Sequence, residues 1–212
     1  HHLHRLVRVQ RINLLGRPRS PMLGTVDETS READMAEGNG FVPLVPVDEL
    51  PDDLRAQWEA TTRPGLRDFI RMMAHAPDHF RAFNAANSSV RFGNHLGPRV
   101  TELVRLAMAQ TTRCQVCLAG RMPAAVDAGL TEEMVGEIGS DAPTSMTDAE
   151  QAAVRFALKF GTDHLSITDD DKAALRAHFS PEQIVELGLF CALCMVGRFS
   201  MLAGLEEQCW PV

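Results

Sequence analysis

From Phe41 onward the chain is a succession of segments whose apolar residues recur at helical spacing, each preceded by a helix-start signal. Pro64, Pro77 and Pro98 each open such a segment, in the first turn, where proline is well tolerated. Runs that alternate apolar with β-branched residues, as half-buried strands do, are nearly absent. This pattern predicts an all-α helical bundle.

Capping residues mark the later helices. A Thr-x-x-acid pattern begins at Thr147, where it predicts a capping box, and again at Thr168, where it predicts another helix cap with Asp171. Ser180 and Pro181 open the last long helix, which we expect to continue to Leu205.

The first forty residues differ in composition from the rest. Residues 1–20 contain five arginines and no acid, and the following stretch is polar without an apolar period. We interpret residues 1–40 as a non-globular arm or a partly non-native segment, with a targeting peptide as the alternative. Residues 41–212 are long enough for one well-buried core and are predicted to form a single domain.

Net charge and cysteine usage restrict the partners and the compartment. A formal charge of -7 and a pI near 5.6 argue against general affinity for nucleic acid or for an anionic membrane. The apolar run Leu187–Gly197 has eleven residues, whereas a bilayer needs about 20. We therefore expect a buried core helix there. Five cysteines in 212 residues are typical of a reducing compartment, so a cytoplasmic location is expected.

A close pair of cysteines is the most specific chemical feature. Cys114 and Cys117 stand as C-Q-V-C and are expected to open a helix that ends at Gly129. Spacing of i and i+3 puts both thiols on one side of a helical turn, and the helix N-terminus lowers a thiol's pKa. One thiol can attack an oxidant and the other can resolve the sulfenate as a disulfide. The alternative is a pair of packed core cysteines.

Glu102 lies on the preceding helix, off the apolar stripe. A carboxylate near the dithiol can accept a proton directly or through water. The alternative is a surface ion pair with Arg99 or Arg105, which stand three residues before and after it.

The order of these motifs resembles a known superfamily. Glu102, eleven residues, C-Q-V-C and a downstream A-G-L-T-E-E-M-V are similar to the carboxymuconolactone decarboxylase and alkylhydroperoxidase D superfamily. The resemblance implies an all-α fold that assembles into homo-oligomers, often trimers or hexamers. It also implies hydroperoxide reduction at the dithiol, with electrons from a lipoylated or other thiol partner.

Residue roles follow from the same resemblance. Cys117 is expected to attack the peroxide, Cys114 to resolve the product and Glu102 to relay the proton. The family places a histidine four residues after the second cysteine, but Arg121 stands there. Arginine cannot act as a base, although it can lower the pKa of Cys117, bind an anionic substrate or pair with Glu102. His95 is the best candidate for an auxiliary histidine, with a solvated loop residue as the alternative.

A second C-x-x-C at Cys191 and Cys194 is interpreted as core packing, with a four-cysteine zinc site as the alternative. No motif for an organic cofactor or a catalytic metal appears, so none is expected.

We therefore predict an oxidoreductase that reduces alkyl hydroperoxides through its dithiol, weakly because of Arg121. The first alternative is a decarboxylase or lactone-processing enzyme of the same fold. The second is a redox-responsive or ligand-binding oligomer without catalysis.

Restoring the histidine tests this interpretation. Arg121→His should raise hydroperoxide turnover by about 100-fold, the lower end of what a positioned general base contributes. Turnover is measured as peroxide consumption with dihydrolipoamide as the reductant. A folded variant with unchanged or reduced turnover would count against a proton relay at this position.

Overall fold

The computed structural model describes residues 41–93 and 95–205, and the regular elements in these residues are all helical. The all-α prediction is confirmed, while the predicted arm at residues 1–40 lies outside the described residues. The helices are α1 (Asp52–Ala60), α2 (Pro64–Met73), α3 (Pro77–Phe92), α4 (Pro98–Thr112), α5 (Gln115–Ala119), α6 (Pro123–Asp127), α7 (Glu132–Gly136), α8 (Asp148–Thr162), α9 (Asp169–His178), α10 (Pro181–Cys194) and α11 (Val196–Leu202).

Helix α4 is the centre of the bundle and packs against α8, α10 and α6. Every residue from Thr101 to Ala109 is buried except Arg105, which is half-buried. A helix buried around most of its circumference cannot be described by one apolar stripe. The expectation that Glu102 lies off the buried face is therefore wrong, because α4 has almost no solvent face.

The predicted helix starts agree with the structure. Pro64, Pro77 and Pro98 occupy the first turns of α2, α3 and α4. Thr147 and Thr168 form reciprocal capping boxes with the side chains three residues further on. These signals are local in sequence, since each cap bonds its own first turn.

Two predicted helices are each divided in the structure. The helix expected from Cys114 to Gly129 is broken between α5 and α6, where Met122 has extended backbone angles (φ -72°, ψ 125°). Proline disfavours a helical conformation in the residue before it, and Pro123 thereby accounts for the break. The last helix divides at Met195 into α10 and α11.

The apolar run that begins at Leu187 is buried on one face only, so the expected buried core helix is only partly present. Leu187 and Phe190 are buried, whereas Leu189 is 54% exposed, and Val185 just before the run is 62% exposed. By length and composition alone the 22-residue stretch Pro181–Leu202 would suffice to cross a membrane, a test that core helices of soluble proteins also pass. The exposed apolar face also suits a contact between subunits, and the homo-oligomer stays a prediction.

A close helix contact near the end of α8 gives a stability prediction. A Cβ on Gly161 would lie 2.5 Å from Oγ1 of Thr111 on α4, whereas a Cβ on Gly188 in α10 meets nothing within 4 Å. Gly161→Ala should lower the free energy of unfolding by about 1–3 kcal/mol through overpacking. Gly188→Ala should leave it unchanged or raise it by about 0.5–1 kcal/mol. Urea unfolding measures both, and equal effects would contradict the contact.

Candidate active site

A tight turn leads from α4 into the cysteine pair. Arg113 has a left-handed backbone (φ 56°), the conformation in which helices often end on glycine. The N–H of Arg113 donates to the Gln110 carbonyl at 3.2 Å, and that of Cys114 donates to the Ala109 carbonyl at 3.0 Å. These two bonds end α4. Cys114 is the N-cap residue of α5. The turn thus brings the cysteine pair back against α4.

Cys114 and Cys117 are joined by a disulfide, with their Cα atoms 5.2 Å apart. The prediction that the two thiols lie within disulfide reach is confirmed. The backbone N–H of Cys117 donates to the Cys114 sulfur at 3.2 Å. Cys114 is buried and Cys117 is half-buried. Cys117 is therefore the more accessible sulfur to a molecule entering from solvent.

Glu102 and Arg105 form a buried ion pair beneath the disulfide. Arg105 Nε donates to Glu102 Oε2 at 2.6 Å, and Nη2 donates to Oε1 at 2.7 Å. The Glu102 side chain has no exposed surface and that of Arg105 is 11% exposed. The alternative prediction of an ion pair with Arg105 is correct in its partner. It is wrong in its location, because the pair lies inside the protein and not at the surface. Arg99 pairs instead with Glu150, at 2.5 Å.

The same pair holds the chain around the dithiol. Arg105 Nη1 donates to the Cys117 carbonyl at 2.6 Å, and Nη2 donates to the Gly120 carbonyl at 2.9 Å. Glu102 Oε1 accepts the Met122 N–H at 2.9 Å. Charge-assisted hydrogen bonds of this kind are stronger than neutral ones. The ion pair therefore fixes the segment 117–122 to the central helix.

The structure does not bring Arg121 to Glu102. Its Nε and Nη2 donate to Glu132 at 2.9 Å each, and its Nη1 donates to the Leu118 and Gly120 carbonyls at 2.6 and 2.9 Å. Arg121 thus ends α5, and it is not among the described residues that line the cavity next to the dithiol. An effect of Arg121 on Cys117 or on a substrate stays a prediction.

His95 is also placed away from the dithiol. Its side chain is 56% exposed, with Nε2 3.3 Å from Glu182, and its backbone N–H bonds the carboxylate of Glu186. Among the residues that the structure describes, no histidine lines the cavity. The position of His95 therefore gives no support to an auxiliary role at the dithiol.

A cavity of about 350 Å³ opens beside the disulfide. Helices α2, α3, α4, α10 and α11 contribute its walls, and Cys114 and Cys117 both lie in the lining. Its apolar walls are formed by aromatic and aliphatic side chains: Leu66, Phe69, Phe80, Phe83, Phe190 and Leu193. A volume of this size is within the ~300–1,000 Å³ of small-molecule sites.

The second cysteine pair divides between core and cavity. Cys191 is fully buried, as core packing predicts, whereas Cys194 lines the cavity with the dithiol. Burial raises the pKa of Cys194 to about 11, although Arg105 and Arg91 nearby oppose that rise. Cys194 is therefore a protonated thiol at neutral pH. Within the described ranges no cluster of metal-binding side chains is found.

Sequence reasoning missed most of the cavity. Arg63, Arg91 and Cys194 come from three different helical regions and share no motif with Cys114. A cavity that joins distant segments has no local sequence signal. The one sequence signal for this region was the spacing of Glu102 and Arg105, which stand one helical turn apart and could therefore form an ion pair.

Comparison with known proteins supports the superfamily that the motif predicted. Residues 77–159, which include Glu102 and both cysteines of the disulfide, match the carboxymuconolactone decarboxylase family. An uncharacterized protein of Mycobacterium tuberculosis, found in strains CDC 1551 and H37Rv, is 35% identical over 108 residues. That match covers 50% of this chain but only 37% of the relative, so this chain spans well under half of it.

Solved structures share the fold at low sequence identity. The alkylhydroperoxidase AhpD core of a peroxidase-related protein from Ralstonia eutropha JMP134 is 23% identical, with a TM-score of 0.60 over 77% of this chain and 89% of that one. A peroxidase-related protein from Silicibacter sp. TM1040 is 17% identical, with a TM-score of 0.61 over 79% and 90%. The debrominase Bmp8 is also 17% identical, with a TM-score of 0.61 over 78% and 91%. These likenesses establish the alkylhydroperoxidase D-like fold.

The buried ion pair gives a prediction about stability. Arg105→Gln leaves the Glu102 carboxylate buried without its ionic partner and should lower the free energy of unfolding by about 3–5 kcal/mol. The double variant Glu102→Gln/Arg105→Gln should recover part of that loss. The control is Arg81→Gln, which removes an exposed pair with Asp53 and should have a much smaller effect. Equal losses in urea unfolding for Arg105→Gln and the control would contradict a structural role.

Proposed function

We propose that this protein is a thiol-dependent oxidoreductase that reduces alkyl hydroperoxides, with Cys117 as the attacking thiol and Cys114 as the resolving one. The observation that carries the proposal is the Cys114–Cys117 disulfide, whose more exposed sulfur lies in the lining of a cavity large enough for a small substrate. The family match and the fold support an enzyme of the peroxidase-related or decarboxylase kind.

The reaction needs two steps at sulfur. The Cys117 thiolate attacks the terminal peroxide oxygen, the O–O bond breaks and the alkoxide leaves with a proton as an alcohol. Cys117 is then a sulfenic acid. The Cys114 thiolate attacks that sulfur, hydroxide leaves with a proton as water, and the disulfide forms. A dithiol reductant, such as a lipoylated partner, returns two electrons and two protons.

Glu102 is best suited to positioning the dithiol. Its two oxygens accept three donors, from Arg105 and from the Met122 backbone. Accepting a proton would weaken these contacts, so the protons that leave with alcohol and water are expected to come from solvent in the cavity. Arg105 then holds the backbone of Cys117 while its sulfur changes partners.

The other two candidate functions make different demands on the dithiol. A decarboxylase or lactone-processing enzyme does not need two redox-active cysteines beside its cavity. A redox-responsive oligomer would use the same disulfide without turnover, and its assembly would change with dithiothreitol.

The direct test is steady-state consumption of tert-butyl hydroperoxide with dihydrolipoamide. Turnover should be present in the wild type and fall by at least ~100-fold in Cys117→Ser, because the variant lacks the attacking thiol. Cys194 is a poor substitute, since burial raises its pKa to about 11. Cys191→Ala removes a buried thiol outside the cavity and should retain turnover. No turnover in a wild type whose dithiol still oxidises would overturn the proposal in favour of a thiol switch.

A further inference from the structure

The cavity beside the disulfide lies between two hydrophobic clusters of the protein. The larger cluster is built around α4 and includes Phe190, with Cys194 packed against it. The second cluster joins the segment 50–54 to α2 and the start of α3, and Phe69 and Phe83 pack against it. Residues of both clusters line the cavity. Apolar side chains on either side of such a gap gain contacts when a ligand with an apolar body fills it.

Aromatic side chains form much of the apolar wall of this cavity. Its phenylalanines are Phe69, Phe80, Phe83 and Phe190. Phe80 and Phe190 are almost completely buried and form the back of the wall. Phe69 and Phe83 are half-buried and keep ring surface that a ligand can cover. A molecule in the cavity therefore meets mainly the rings of Phe69 and Phe83.

Packing within the wall fixes the ring that Phe69 presents. The rings of Phe69 and Phe80 meet edge to face, with their centroids 5.6 Å apart and their planes at 83°. This is a preferred geometry for an aromatic pair. Phe83 follows Phe80 by three residues and so lies on the same side of α3. Because a fixed ring loses little freedom when a ligand binds, the wall is a preorganised surface for a second ring.

The wall comes largely from helices that the family match does not include. The matched residues 77–159 contain Glu102 and both cysteines of the disulfide, but α2, α10 and α11 lie outside them. Phe69 on α2 and Phe190 on α10 thus belong to the unmatched part of the chain. Selection of the substrate is therefore a property of this chain's own cavity and is separable from the chemistry of the dithiol.

We propose that the aromatic wall selects hydroperoxides that carry an aromatic ring, with Phe69 and Phe83 as the specificity-determining residues. The ring lies against these two side chains, and the peroxide group reaches Cys117. Aromatic pairs attract one another beyond the apolar area that they bury, which favours a ring over a saturated body of similar size. A volume of about 350 Å³, near the lower end of small-molecule sites, favours a compact body over a long chain.

The identity of the substrate rests on the proposed hydroperoxide reduction, whereas recognition of the aromatic body does not. The reaction at sulfur is unchanged: one arylalkyl hydroperoxide and the two thiols give one arylalkyl alcohol, one water and the Cys114–Cys117 disulfide. The alcohol product keeps the ring, so it serves as an unreactive probe of the cavity.

Binding is tested by calorimetry of the oxidised protein with 2-phenyl-2-propanol and with its saturated analogue, 2-cyclohexyl-2-propanol. The aromatic alcohol should bind roughly two- to tenfold more tightly, the range that an aromatic pair adds beyond its buried area. Phe69→Leu and Phe83→Leu should each reduce this preference towards onefold. Phe92→Leu is the matched control, because Phe92 lies on the same helix as Phe83 but is 67% exposed and outside the lining. It should keep the full preference.

Equal affinity for the two alcohols, or tighter binding of the saturated one, would overturn the inference. A preference that persists in both Phe69→Leu and Phe83→Leu would overturn the assignment of these residues. The ratio of the two affinities is the readout, since a general loss of apolar contact lowers both affinities together. Substitutions on two different helices keep the test valid if one variant fails to fold.

Turnover then tests the substrate. With dithiothreitol as the reductant, cumene hydroperoxide should have a higher kcat/KM than its cyclohexyl analogue, by the same roughly two- to tenfold factor. Phe83→Leu should remove that difference mainly through KM and leave the turnover of hydrogen peroxide unchanged. Turnover of both hydroperoxides with equal kcat/KM overturns the substrate inference and leaves the proposed function in place. Selective binding of the aromatic alcohol without turnover of any hydroperoxide supports the site and overturns the proposed function instead.

Discussion

The buried ion pair between Glu102 and Arg105 is the interaction on which the rest of the site depends. Helix α4 is surrounded by its neighbours, so a carboxylate at position 102 needs a charged partner inside the protein. Arg105 supplies it from one turn away and still donates to the carbonyls of Cys117 and Gly120. The Arg105 guanidinium thereby pairs with the buried carboxylate and also orients the loop that carries the dithiol.

Local signals made the helices and the cysteine pair predictable, and tertiary packing made the rest unpredictable. Pro98 and the Thr147 box act within one helical turn, so the sequence reveals them directly. The burial of Glu102 follows from the packing of α4 against α6, α8 and α10, which lie further along the chain and which no local pattern reports. The break before Pro123 had a local signal, the extended preference of the preceding residue, that the apolar pattern concealed.

The missing family histidine changes how the site must work. Arg121 is used to end α5 and to pair with Glu132, so it does not replace an acid or base beside the sulfurs. What the structure supplies instead, within the described residues, is a largely apolar cavity that also contains Cys194. For the proposed reaction, the cavity would hold the substrate beside the dithiol, and proton transfer would be left to solvent. If the proposed reaction takes place, a modest rate is expected from this arrangement.

The most direct test of the account is a single turnover of the fully reduced protein with one equivalent of hydroperoxide, followed by peptide mapping of the cysteines by mass spectrometry. The account predicts one equivalent of alcohol and an intramolecular Cys114–Cys117 disulfide, with Cys191 and Cys194 still reduced. A lasting sulfenic or sulfinic acid at Cys117, or a disulfide that joins Cys117 to Cys194, would contradict it. Either result would mean that the loop held by Arg105 does not deliver Cys114 as the resolving thiol.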